Sequence, residues 1–596
     1  TFMMRILSCG VFTNFQIERI ALTTETDTIA TISRLAVVFQ PTRLLNKEVI
    51  LRFAELKSPY FRLKQLPDSS WNVSNLVRQK ESPPEEKPSP SEPFAWHIIL
   101  QDMKIIDGSI DMVPLGTSQT IPEKIRNLNC ILSLSYDKEG LSTTMRDFSL
   151  RALHPDLSVA EISFLLLLEH NGMSVQDLKL ITDNSQLFGE LFLNFSENPE
   201  YMIKLSPSEV SLDEISNFVP DLGMQGIISL NGLVNYSGDD LKTDIQLQHR
   251  NQDIKLVGFL NNLQSIPEYD IQAKISRFNP DVWLKNQKLN SRLTGQLQLK
   301  GTGFKPDSSK GSLKLFLQTS RVYGQPVDTL TITSTYEFGD IIGKITLVSE
   351  SGHINLHANI NDLGRKPKFD LEADVQDFDL SKAILKKSEP SNIDMAISVA
   401  GSGASFSEFT GHANIFVSPS NLYNTKIDTM FSAINLNHKI FKIDTLYIRN
   451  PIGDVQSRGR IAIDSTVDVN YLAQINELSQ FESIIKQEGL NGRVWLRGNL
   501  SGALDSLEIT GNTQMNSLVY NDIDVDTIQA NYIASITRNS THGKINARLK
   551  HITTDQINLD SLTLDADFRP DSLHALVDFF QSEKISGHIE SHVGLG

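Results

Sequence analysis

Two histidine pairs, His353 with His357 and His588 with His592, carry the spacing that chelates a metal on a helix. In a strand the same residues share a face but lie about 13 Å apart at ~3.4 Å per residue, too far for one ion. Both pairs are therefore read as surface histidines, and no metal or cofactor is expected. The two cysteines, Cys9 and Cys130, are too few for a disulfide framework or a multi-cysteine metal site. Nucleophile chemistry has no local signature either. There is no Gly-x-Ser-x-Gly elbow and no phosphate-binding glycine loop ending in Lys-Ser/Thr. Gly301-Thr-Gly303 and Gly401-Ser-Gly403 follow strand patterns, where glycine serves a turn or bulge. Asp239-Asp240 falls between two strands and reads as a turn, not as an acid–base pair. Neither a catalytic residue nor an enzyme is expected.

The elements around these residues follow period two. From His353 to Ile360 every even position is apolar and every odd one polar, and Phe369 to Val375 alternates the same way with acidic residues outside. Leu313, Leu315 and Leu317 form another such set. Ile461 to Tyr471 reads as one pattern interrupted at Ser465, and Leu562 to Phe568 closes the series. Side chains of a strand alternate between faces, so these segments present one apolar and one wet face. Turn residues separate them, as antiparallel connections require. The acidic positions around Asp370 to Asp374 keep the outer face solvated and resist sheet-to-sheet aggregation. The fold class expected is all-β: an elongated, mostly antiparallel sheet curled into a β-groove.

Composition limits the partners. The net charge of −16 is spread along the 596 residues, which gives no basic stripe for nucleic acid. The apolar fraction of 40% suffices to bury surface, so wholesale disorder is not expected. No apolar block is longer than Phe164 to Leu168, which is far shorter than a membrane-spanning helix. The segment 78–93 holds five prolines and mixed charge and reads as a solvated loop. The domains expected are 1–77, a second β segment at 94–222, and a repeating groove at 223–596. The chain begins at a Thr and stops at Gly-Leu-Gly in mid-pattern, as a section of a longer protein would.

Self-similarity marks the repeat. Four segments share a glycine or its substitute, five residues and a second glycine: Gly226 to Gly232, Gly295 to Gly301, Met395 to Gly401 and Gly492 to Gly498. Inside them Ile228 and Leu230, Leu297 and Leu299, Ile397 and Val399, and Val494 and Leu496 hold equivalent apolar places. With Leu313, Leu315, Leu317, Ile354 and Leu356 they are the expected lining of the groove. A short helix precedes each unit. Ser211 with Glu214, and Ser479 with Glu482, fit capping boxes in which the Glu reaches back to the Ser. Asn279-Pro280 is a cap followed by a first-turn proline, and Asp379 leads into Leu380 to Leu385. Phe278 and Phe378 lie equally far ahead of their glycines.

The order of the N-terminal segments resembles that of a known family. Phe15-Gln-Ile-Glu-Arg-Ile-Ala-Leu22 leads to Ala30-Thr-Ile-Ser-Arg-Leu-Ala-Val-Val38, Pro41-Thr-Arg-Leu-Leu45 and Leu56-Lys-Ser-Pro-Tyr-Phe-Arg-Leu63. Trp71-Asn-Val-Ser-Asn-Leu-Val77, the Pro-rich loop and Trp96 to Ile110 follow. With Leu293 to Pro306, this order resembles TamB-like translocation and assembly module proteins of the AsmA-like group. The resemblance implies a periplasmic β-groove anchored to the inner membrane by an N-terminal helix. It also implies a BamA-like outer-membrane barrel partner met through a C-terminal part. On that reading the sequence is expected to be the part between those two end pieces. The implied cargo is phospholipid acyl chains, unfolded outer-membrane β-barrel segments, or both, in support of outer-membrane biogenesis. About 40 strands ~4.8 Å apart would extend roughly 190 Å, a crossing distance. The competing expectations are a surface β-solenoid adhesin and a tandem of β-sandwiches.

Overall fold

The structure is a computed structural model. It describes residues 2–594 except 11–12, 24–27, 66–70, 73–95, 115–120, 220–222, 286–287, 306–307, 364–365, 384–389, 423–424, 464, 482–488, 538–539 and 582–584. For Phe2–Gly10 and residues 480–481 it describes the backbone alone. The Pro-rich loop at 78–93 and Glu482 thus lie outside the described residues, as does the end of the helix expected at Leu380 to Leu385. Strands take up 77% of the chain and helices 4%, which makes the fold all-β. The strands fall into two compact units, residues 1–303 with 320–324, and residues 304–319 with 325–596.

The first unit opens with the strands Phe2–Gly10, Asn14–Thr23 and Thr28–Phe39 in antiparallel order. Glu48–Lys57 and Tyr60–Lys64 both pair with Thr28–Phe39, and both run parallel to His97–Val113. A parallel pair needs a long connection, and residues 65–96 separate Tyr60–Lys64 from His97–Val113 in the chain. From His97–Val113 to Leu293–Thr302 every strand pairs antiparallel with its neighbours in the chain. Cys130 is buried in this unit as a free thiol, its Sγ 3.6 Å from Met145 Sδ.

The second unit is a meander of the same kind from Gln325–Glu337 to Ile585–Gly594. One small hairpin, Ser420–Leu422 with Thr425–Ile427, pairs with itself. The pattern from Ile461 to Tyr471 is not one strand. Gly453–Ala462 and Thr466–Ile475 form a hairpin with Ser465 in its turn, and Ile461 lies opposite Val467. The interruption at Ser465 is thus the turn itself, and the alternation continues in phase beyond it because an even offset preserves the facing of each side chain.

Short helices stand where the repeat predicts them. In α1 (Leu212–Ser216) the Ser211 side chain accepts from the Glu214 N–H, as a cap should. The return bond does not form. The Ser211 N–H donates to Ser185 Oγ at 3.0 Å, while the Glu214 carboxylate turns to the 182–185 turn. Helix α2 (Pro280–Trp283) has Asn279 as its cap, accepting from the Asp281 N–H. Helix α3 (Leu380–Ala383) follows Asp379, which accepts from the Ser381 and Ser391 N–H groups. The fourth is a 3-10 turn, Leu478–Phe481, so Ser479 sits inside it and is not its cap. Buried Leu478 anchors that turn.

Two of the four units, those ending at Gly301 and Gly401, share their junction geometry. Strand Glu268–Phe278 shifts register before Phe278, and strand Lys368–Phe378 does so before Phe378. Arg277 and Asp377 take a left-handed conformation at these bulges, with φ of 53° and 52°. The Arg277 N–H donates to Thr294 Oγ1, and the Asp377 N–H to Asp394 Oδ1. Buried Ser320 and Ser420 then receive the Thr294 and Asp394 N–H groups. Gly303 and Gly403 close the same turn in both copies, donating to Pro267 and Pro367 carbonyls.

Candidate functional site: an apolar sheet face in each unit

Cross-strand register sorts the side chains. In the first unit Leu205, Gly232, Ile245, Leu256, Ala273 and Leu297 lie directly opposite one another, strand to strand. A parallel row passes through Ile203, Val234, Thr243, Gly258, Ile271 and Leu299. The other face carries the ion pairs Lys204–Glu190 at 3.3 Å, Lys255–Asp244 at 3.4 Å and Lys300–Asp270 at 2.8 Å. Exposed pairs add little stability. Their effect is to keep that face wet.

The second unit holds a longer row of the same kind. It runs Leu330, Leu347, Ile354, Val375, Met395, Val417 and Met430, and on through Ile448, Val455, Ala473 and Leu496. Thr513, Ala530, Ala547, Leu564, Val577 and Ile589 complete it. Not one member of this row is charged, although the unit is rich in Asp and Lys.

The face is only half covered. Apolar residues facing a second packed layer are normally buried. Here Val455, Ile545 and Ile589 remain 38%, 36% and 54% exposed. Among the thirteen expected lining residues, Ile228, Leu317 and Val494 are buried, and Leu230, Leu297, Leu299, Leu313, Leu315, Ile354, Leu356, Ile397, Val399 and Leu496 are intermediate. Ile228 is enclosed with Val210, Leu212 and Trp283, and Leu230 packs against that cluster.

That cluster explains the helices. Trp283, 3% exposed, brings α2 onto the sheet margin next to α1. Its indole N–H donates to Gln252 Oε1 at 3.2 Å, the same oxygen that accepts from the Asn279 N–H. Phe278 meets the Trp283 ring edge-on at 5.5 Å. In the first unit α1 and α2 thus close one edge of the apolar face, and in the second unit row members such as Val455 and Ile589 stay exposed while Val375, Val417 and Ala530 are buried.

Several glycines on this face lie under aromatic rings. Tyr471 lies opposite Gly498, Gly498 opposite Gly511, and Gly511 opposite Tyr532. The two rings lean inward over the glycines until their hydroxyls meet at 2.6 Å. Burial pushes the Tyr532 phenol far up, helped by the bond to Tyr471. Phe409 lies over Gly401 and Gly411, and Phe568 over Gly543, in the same manner. So the second glycines Gly232, Gly401 and Gly498 sit within strands, where a Cβ would strike a neighbouring ring or backbone.

The wet face has features that alternation did not reveal. Phe416, Phe431 and Tyr447 stand opposite one another there, and the first two are 47% and 38% exposed. Asn512, Asn531, Asn546 and Asp565 form an amide-rich row, in which Asn546 donates to Asp565. His353 and His357 are both exposed on the wet face, with Glu372 opposite His357. Asp239 accepts from the Gln264 N–H in a turn.

One constellation resembles a hydrolase trio at first sight. His97 Nε2 lies 2.9 Å from Ser135 Oγ and 3.9 Å from Asp137 Oδ2. In a Ser–His–Asp relay the carboxylate holds the opposite ring nitrogen from the nucleophile. Here both partners address the same nitrogen, so the trio lacks that connectivity. No helix among the described residues is long and apolar enough to cross a membrane. No protein-family model, curated protein or solved structure matches the chain.

Proposed function

We propose that the chain is a hydrophobic groove section of a TamB/AsmA-like protein of the bacterial envelope, a scaffold for apolar cargo and not an enzyme. The cargo is phospholipid acyl chains or unfolded outer-membrane barrel segments, held on the apolar face in the periplasm. The observation that carries this reading is the uncharged row from Leu330 to Ile589, in which Val455 and Ile589 stay exposed. Keeping an acyl chain on such a surface offsets roughly 0.8 kcal/mol per CH2 withdrawn from water. The bulge-and-helix junction supports the same reading, because in the first unit it closes only one margin of the face.

The test is in-cell photocrosslinking with a probe at Leu299, opposite Ile271 on the apolar face, and a control at Gln296, opposite Lys274 on the wet face. Phospholipid or barrel-protein adducts at Leu299 alone are expected. Absence of adducts at both positions, with the chain folded and exported, would overturn the cargo-groove reading in favour of a structural β-protein.

A further inference from the structure

The strands Ser572–Gln581 and Ile585–Gly594 bring together three side chains that are scattered in the sequence. His574 lies directly opposite His592, and Glu590 stands two residues back on the same face of its strand. The imidazole centroids are 4.0 Å apart, and His574 Nε2 is 3.0 Å from Glu590 Oε1. One ligand atom from each residue lies within 4.8 Å of the other two, and no other such group occurs among the described residues.

We propose that His574, Glu590 and His592 form a binding site for a divalent transition metal, Zn2+ foremost, on the wet face of the second unit. Two imidazoles and one carboxylate are the donor set of borderline metals, whereas Mg2+ and Ca2+ require oxygen ligands throughout. Zn–N and Zn–O bonds of about 2.0–2.2 Å put tetrahedral ligand atoms roughly 3.4 Å apart. His574 Nε2 and Glu590 Oε1 are already 3.0 Å apart, and all three ligand atoms lie within 4.8 Å of one another. The fourth position faces solvent and takes water.

The surroundings define the set. His588, one step further along the same face, is turned to Asp578 at 2.6 Å and is not a ligand. Asp567, opposite His574 on the other side, is engaged by Lys544 at 3.3 Å and Arg569 at 3.8 Å. A metal held by both strands fixes the register of Ile585–Gly594, which directly opposed side chains alone hold weakly. The site works as an interstrand clip, and this inference does not depend on the cargo reading.

The experiment is calorimetric titration of the untagged full chain with ZnCl2 after chelator stripping, with Co2+ as the absorbing probe for tetrahedral N/O coordination. One Zn2+ per chain is expected, with an affinity weakened at least tenfold in His574→Ala, His592→Ala and Glu590→Gln. His588→Ala and His353→Ala, both exposed, serve as controls and should bind as the parent does. No stoichiometric binding by the parent, or binding that survives the His574→Ala/His592→Ala double variant, would overturn the site.

Discussion

Gly498 shows how one residue shapes the apolar face. A Cβ there would come closer than 3.0 Å to the Thr510 carbonyl and the Tyr471 ring, and the carbonyl is backbone that cannot swing aside. Gly498→Ala should therefore lower stability by about 1–3 kcal/mol, the usual cost of overpacking. Gly343→Ala is the control, since its Cβ would make ordinary contacts at 3.6 Å. Urea midpoints of the two variants check this, and equal midpoints would refute the packing role assigned to Gly498. The regular position of Gly498 in the repeat was legible in the sequence. The reason for it was not, because Tyr471 and Tyr532 reach the glycines from neighbouring strands far along the chain.

At the scale of elements, Glu214 ties α1 to the turn between two strands. Burial pushes its carboxyl up, but hydrogen bonds from Ser185, Thr182 and Asn184 together hold it below the usual glutamate value. A group with a depressed folded pKa stabilises above its unfolded pKa, and that contribution fades as pH falls through the folded value. Glu214→Gln should thus cost about 1–2 kcal/mol at pH 7, the scale of charge-assisted hydrogen bonds. Denaturant melts at a series of pH values should show the gap closing below about pH 4.3. A gap that persists unchanged into acid would show that the charge plays no part. The spacing of Ser211 and Glu214 announced a helix start correctly. It misdirected the Glu, because the 182–185 turn offers four donors where the cap offers a single N–H.

At the scale of the whole molecule, each unit repeats one device: a strand with a bulge, a helical turn and a return strand, beside an uncharged apolar row on one face. If that face carries cargo, Leu299→Asp and Val399→Asp should each impair transport, since a charge in a lipid-lined path costs on the order of 2.5–3.5 kcal/mol. Gln296→Asp, opposite Lys274, should be nearly silent. Lipid or barrel-protein adduct yield in cells is the readout, and equal losses at all three positions would contradict the assignment of faces.

The sequence by itself determined the all-β class, the alternation of faces along the strands and the place of the junction helices. Each of these rests on local periodicity and local hydrogen-bonding preference, which act within a few residues. Tertiary structure decided what lies across from what. It put Ile228 and Val494 among buried residues while Leu299 and Val399 stay accessible, made a hairpin of Ile461 to Tyr471, and set His574 against His592. Those outcomes depend on register between strands, which the closing of many hydrogen-bonded pairs sets together and which no window along the chain contains.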